Sequence, residues 1–218
     1  MLAQLQALPG IQAAATTNTL PLVPSFVRLV LDIQGRPAPS RPEEMVWPNI
    51  RIVSPQYMKT MGINLLEGRG LSEDDPANGP PALLVNRTFA RLYFGEESPV
   101  GQRAQLGATP LEIVGVVDDV RHAGLDAEPE PEIYLDYRRA GDVIPRGRAL
   151  HAMFFAVRTS GDPGSASASI RSLVHRLDPE LAIDNVASME QRLSDSVAGP
   201  RFYGVMLGIF AAVALALA

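Results

Sequence analysis

Residues 152–186 read AMFFAVRTSGDPGSASASIRSLVHRLDPELAIDNV: an apolar run, a capped helix and a second apolar run in succession. Ala152 to Val157 has the composition of a strand. Asp162 stands where an N-cap belongs, and Pro163 occupies the first helical position, where its missing N–H does no harm. Ala166, Ile170, Leu173, Val174 and Leu177 follow at helical spacing, and Asp178-Pro179 ends the run. Leu181 to Val186 reads as a strand. Strand, helix and strand in that order predict a βαβ-type unit. The rest of the chain predicts a mixed sheet, so the fold class is α+β.

Towards the N-terminus the same reading gives short strands separated by amphipathic helices. Val27 to Ile33 and Trp47 to Val53 are strands, joined by a segment that Pro37, Pro39 and Pro42 hold extended and exposed. Ser54-Pro55 opens a short helix that Gly62 closes, and Ile63 to Leu66 is a strand. Ala82 to Val85 leads into a helix from Arg87 to Phe94 capped by Asn86, with Phe89, Leu92, Tyr93 and Phe94 on one face. Gln102 to Leu106 and Leu111 to Val117 form a hairpin around Gly107 and Pro110. Ile133 to Tyr137 is a strand, followed by an Arg-rich loop from Arg138 to Arg148.

Both ends carry separate signals. Leu2, Leu5 and Leu8 precede Pro9-Gly10, which looks like the tail of a helix begun upstream. No charged segment leads into an apolar one, so this is not a signal peptide. Ser188-Met189-Glu190-Gln191 is a capping box opening a helix to Ala198. From Phe202 to Ala218 there are 17 residues without a charge, FYGVMLGIFAAVALALA. A spanning helix needs roughly 20 predominantly apolar residues. Gly204, Gly208 and the alanines suit close packing of membrane helices. The expected division is a folded domain over residues 1–199 and the start of a transmembrane helix over residues 200–218. The other reading of the tail is a buried core helix.

Composition narrows the function classes. The 218 residues are 46% hydrophobic and 20% charged, which excludes a disordered or collagenous chain. Lys and Arg number 19 against 24 Asp and Glu, with no basic stripe, so nucleic acid is not an expected partner. Cysteine is absent, which removes disulfides, thiol nucleophiles and Cys-ligated zinc. The single lysine, Lys59, does not sit in a GxxxxGK[ST] loop, and neither GxSxG nor HExxH occurs.

The remaining polar clusters read as structural. Asp118-Asp119-Val120-Arg121-His122 is the densest. Metal binding there needs further converging ligands, and only His151 and His175 remain to supply imidazole; a strand end turning into a solvated loop accounts for it. Glu128, Glu130 and Glu132 alternate with Pro129 and Pro131, as in a stiff exposed approach to a strand. Glu73-Asp74-Asp75 lacks the spacing of a calcium loop. Arg69, after Gly68, serves a turn by bonding carbonyls or pairing with Asp74 or Asp75. No catalytic, cofactor-binding or metal-binding residue is assigned, and the chain is not expected to be an enzyme.

A family resemblance rests on several stretches in order. These are Leu8-Pro9-Gly10-Ile11 with Leu20-Pro21-Leu22; Val53-Ser54-Pro55-Gln56-Tyr57-Met58 with Met61-Gly62; and Leu66 to Arg69. Val85-Asn86 with Ala90 and Tyr93-Phe94-Gly95, Pro99-Val100-Gly101, and Ile113 to Arg121 continue the series. Together, from about Leu8 to Ala218, the chain resembles the MacB-like periplasmic core domains of FtsX-like ABC transporter permeases, of the large orphan-permease type.

The resemblance implies a non-catalytic extracytoplasmic domain between the first and second membrane helices, the second beginning near Pro200. It implies an inner (plasma) membrane protein with this domain facing the periplasm or cell exterior. ATP would be hydrolysed by a separate ATP-binding subunit or domain, and the work done would be efflux or another extracytoplasmic task. The implied partners are that ATP-binding part, a periplasmic partner protein and a second copy of the intact permease; no cofactor is implied. Gly199-Pro200 reads as a joint between the helix after Ser188 and the apolar tail. Two other classes stay open: a periplasmic ligand- or protein-binding module, and a soluble enzyme whose tail is a core helix.

Overall fold

The computed structural model describes residues 1–23, 27–36, 41–122, 124, 127–144, 153–181, 183 and 186–196. In chain order its elements are α1 (Leu2–Gln6), β1 (Ile11–Thr17), β2 (Leu31–Ile33), β3 (Asn49–Val53), α2 (Tyr57–Met61) and β4 (Leu65–Gly68). Then come β5 (Ala82–Asn86), α3 (Arg87–Phe94), β6 (Arg103–Leu106), β7 (Thr109–Val117), β8 (Glu132–Asp136), α4 (Ala140–Val143), β9 (Phe154–Thr159) and α5 (Pro163–Leu177). A helix over 189–196 follows, and Ser188 Oγ accepts from the Gln191 N–H at 3.1 Å, as the capping box predicts.

The strands form one mixed sheet in the order β2-β6-β7-β5-β8-β3-β1-β9, with β4 paired to β7 beside β6. Two pairings are parallel, β5 with β7 and β3 with β8; the others are antiparallel. The βαβ-type connection therefore runs from β5 through α3 to β7, with β6 inserted as the hairpin partner of β7. Of the unit expected at 152–186, the strand and the capped helix form, and β9 pairs antiparallel with β1. Within Leu181 to Val186, the described residues Leu181, Ile183 and Val186 belong to no strand, and the other three lie outside the described residues.

The α3 cap is as expected: Asn86 Oδ1 accepts from the Phe89 N–H at 2.9 Å. Phe89 is buried and packs against Tyr93 with the rings tilted and their centroids 4.8 Å apart, but Leu92 turns outward and is 61% exposed. Ser54 does not cap α2: its hydroxyl accepts from the Thr16 N–H, tying β1 to the end of β3. At Gly62, φ of 73° gives the left-handed C-cap that glycine tolerates. Of Val27 to Ile33 only Leu31–Ile33 is strand, with an isolated bridge from Arg28 to Asn49.

Each sheet face has its own cover. Ile50, Ile52, Leu83, Val85 and Ile133 point to the side taken by α3 and α4. Val53, Leu84 and Tyr134 point to the other, under Tyr57 of α2 and Leu71. Burial on both faces explains why β3, which alternates in sequence, is buried at all five positions. At the far end Leu5 of α1, Ala14 of β1 and Leu173 of α5 form a third cluster, so the first helix and α5 converge on one edge of the sheet. Among the described residues no helix is long and apolar enough to cross a membrane; Phe202 to Ala218, like Gly199-Pro200, lies outside them.

Candidate functional site: a buried charged node beside an open cleft

A strongly polar region of the core lies where β3 and β8 run parallel. Glu132 sits opposite Asn49, so Arg51, two residues on, reaches it diagonally across the same face. Arg51 donates to Glu132 Oε1 through Nη2 at 2.7 Å and Nε at 3.2 Å, and the Tyr134 hydroxyl donates to Oε2 at 2.9 Å. His122 Nε2 lies 3.1 Å from the same Oε2, at ion-pair distance. Arg51 and Glu132 are each 1% exposed and His122 is 9%. Asn86 completes the node: besides capping α3, its Oδ1 accepts from the Glu132 N–H at 2.9 Å, and its Nδ2 donates to the Glu130 carbonyl.

Environment sets the charges. Burial alone would raise the Glu132 carboxyl, but His122 and Arg51 outweigh it and hold the group below the ordinary carboxylate value. The Tyr57 hydroxyl is pushed up to about 12, chiefly by burial, and the Tyr134 hydroxyl is pushed well above its ordinary value for the same reason. Both phenols are therefore neutral near pH 7. Among the described residues Arg51 Nη1 finds no hydrogen-bond partner. The carboxylate, held by Arg51 and Tyr134 and closed from solvent, ties β8 to β3.

These positions correct two expectations. Glu128 and Glu130 are exposed as expected, Glu130 pairing with Arg28 at 2.6 Å and Asn49 at 2.7 Å, but Glu132 is a core residue. His122 is not in a solvated loop but buried against Glu132. Local sequence carries no sign of this, because Arg51 and Glu132 are 81 residues apart. The two aspartates before His122 do end a strand. Asp119 accepts from the Thr88 N–H at 2.9 Å and the Thr88 hydroxyl at 3.0 Å, and Asp118 pairs with Arg87 at 2.7 Å. Arg69 behaves as expected, pairing with Asp75 at 2.8 Å and donating to the Gly70 carbonyl. Arg138 and Arg139 clamp the Ser72 to Gly79 segment through its carbonyls.

Among the described residues no three His, Asp or Glu side chains gather as a metal site; His175 lies exposed on α5, and His151 is outside the described residues. Beside the node is an open cleft of about 340 Å³ between Met61–Asn64 and Asp118–Arg121.

Residues 3–173 match the family model described as MacB-like periplasmic core domain. The chain belongs to that family. It is 25% identical over 120 residues to the macrolide export ATP-binding/permease protein MacB of Aggregatibacter actinomycetemcomitans, covering 55% of this chain and 18% of that protein. It is 26% identical over 158 residues to the pyoverdine export ATP-binding/permease protein PvdT of Pseudomonas syringae pv. syringae, covering 69% of this chain and 23% of that one. The chain thus spans about a fifth of the length of the curated relatives it matches.

Solved structures share the fold. The periplasmic region of MacB from Actinobacillus actinomycetemcomitans superposes with a TM-score of 0.57 at 18% identity, covering 81% of this chain and 72% of that one. The extracellular domain of the noncanonic ABC-type transporter YknZ gives 0.55 at 16% identity, with 82% of each chain covered. This MacB-like domain is thus an α+β extracytoplasmic domain of the ABC transporter permease type, and its family is not one of catalytic enzymes.

Proposed function

We propose that residues 1–199 are the extracytoplasmic domain of an ABC transporter permease, inserted between two membrane helices, and that residues 200–218 begin the second. The domain passes on conformational change driven by ATP hydrolysis in a separate subunit or domain, for efflux or other extracytoplasmic work. The observation that carries this reading is the convergence of α1 and α5 on one edge of the sheet through Leu5, Ala14 and Leu173. An insert that relays motion needs its two legs side by side and packed on a stiff body. The sheet, buried on both faces at its centre, is that body. The transport relatives support efflux as the class of work, and the intact permease would act in the inner membrane, paired with a second copy.

The test uses the whole transporter with its ATP-binding part. Amide hydrogen exchange is compared with ATP and with a non-hydrolysable analogue. The reading predicts nucleotide-dependent changes in α1, α5 and the helix over 189–196, with β3, β5 and β8 unchanged. Identical exchange throughout the domain would refute coupling. A binding module without a transport role would instead respond to its ligand and not to nucleotide.

A further inference from the structure

Asparagine followed by glycine occurs once in the chain, at Asn78-Gly79, in the acidic loop between β4 and β5. The pair has its own chemistry. Glycine brings no side chain to hinder its amide nitrogen, so that nitrogen can reach the side-chain amide carbon of the asparagine before it. The other asparagines precede Thr19, Ile50, Leu65, Arg87 and Val186, all of which carry a hindering side chain.

The fold leaves the pair open. Asn78 and Gly79 are both exposed, and among the described residues the Asn78 side chain and the Gly79 N–H meet no hydrogen-bond partner. A Cβ on Gly79 would find nothing within 4 Å, and its φ of 121° is backbone that suits glycine.

The flanks, by contrast, are held. Arg139 Nη1 donates to the Pro76 carbonyl at 2.8 Å and Nη2 to the Gly79 carbonyl at 3.0 Å, while Nε is fixed on Asp142 at 2.7 Å. A guanidinium is a planar, rigid fork, so it fits one spacing of those two carbonyls. Asn78 lies between them in the chain. Farther back Arg138 holds the Ser72 and Glu73 carbonyls and Arg69 pairs with Asp75, so that part of the loop does not depend on Arg139.

From this arrangement we infer that Asn78 is a self-modification site whose product undoes the Arg139 fork. Gly79 N attacks Asn78 Cγ. The N–Cγ bond forms, the Cγ–Nδ2 bond breaks, and Nδ2 leaves as ammonia with the proton of the Gly79 N–H. Water then opens the cyclic imide. Breaking its N–Cγ bond gives aspartate on the original main chain. Breaking the bond from N to the main-chain carbonyl carbon gives isoaspartate, in which the chain runs through Cγ and is one methylene longer. Isoaspartate is the main product of such rings, and the added methylene changes the Pro76 to Gly79 spacing that the fork fits. The only reactant consumed is water.

The test follows both the chemistry and its consequence in the full chain, kept folded in detergent in mildly alkaline buffer. Peptide mapping by mass spectrometry measures amide loss at Asn78 and at Asn64, which is also exposed but precedes Leu65. The inference predicts loss at Asn78 about tenfold faster or more, with isoaspartate the larger product. Because cysteine is absent, a spin label on Ala77→Cys is unique in the chain and reports the order of the segment. The converted protein and unconverted Arg139→Gln should show the same gain in label mobility, whereas Asn78→Asp, which adds the charge without the methylene, should leave the label ordered. Amide loss at Asn78 no faster than at Asn64 would overturn the site. A label equally ordered before and after conversion, or equally freed by Asn78→Asp, would overturn release through a lengthened backbone.

Discussion

Arg51 and Glu132 meet across two parallel strands, with Nη2 and Nε of the arginine directed at a single carboxylate oxygen, in a region closed to solvent. Two charges removed from water at that depth are held by each other and by Tyr134. Their effect on stability is therefore asymmetric. Removing one partner leaves an uncompensated buried charge, whereas removing both removes the demand.

Glu132→Gln or Arg51→Met alone is expected to lower the unfolding free energy by about 3–5 kcal/mol. The double variant Arg51→Met with Glu132→Leu should lose less than either single change. Denaturant titration of the four proteins measures this, and losses that simply add would contradict a coupled pair.

Acid should act through the same carboxyl. Its folded value lies below the ordinary 4.5, so its ionised form contributes stability that is fully present above that value. The contribution is lost as pH falls through the lower, folded value. Unfolding free energies of the wild type and Glu132→Gln should therefore converge as pH drops below 4.5. Curves that stay parallel from about pH 6 to pH 3 would show that Glu132 does not carry the acid limb.

Backbone approach at β7 gives a steric prediction. A Cβ on Gly115 would lie 2.4 Å from the Arg69 carbonyl oxygen and 2.9 Å from that of Glu67. Gly115→Ala must push β4 off the sheet and should cost about 1–3 kcal/mol or more. Gly161→Ala, where nothing lies within 4 Å, should change stability by less than about 0.5 kcal/mol. Equal effects at the two glycines would contradict the packing of β4 on β7.

Elements written in one stretch of sequence were the legible ones. Asn86 with Arg87 to Phe94, and Asp162 with Pro163 to Leu177, carry their caps and apolar faces within a few residues, and both form at the expected bounds. β1 was not legible. Its Ala13, Ala14 and Ala15 have no strand propensity to speak of, and they are buried because α1, α2 and β9 close around small side chains. The charged node was hidden for a different reason. Glu132 follows two prolines and alternates with Glu128 and Glu130, a local pattern of exposure, and only the pairing of β8 with β3 turns it inward against Arg51. Leu92 misled in the opposite sense, since its helical spacing fits the apolar face yet its side chain is exposed.

The central claim, an extracytoplasmic insert between two membrane helices, is tested most directly by topology in the full-length protein. A reporter active only outside the cytoplasmic membrane is fused next to Ser188, after α5 and before the apolar run that starts at Phe202. The account predicts an active fusion. A fusion that is well expressed but inactive, with the same reporter active when placed in the cytoplasm-facing part, would contradict it.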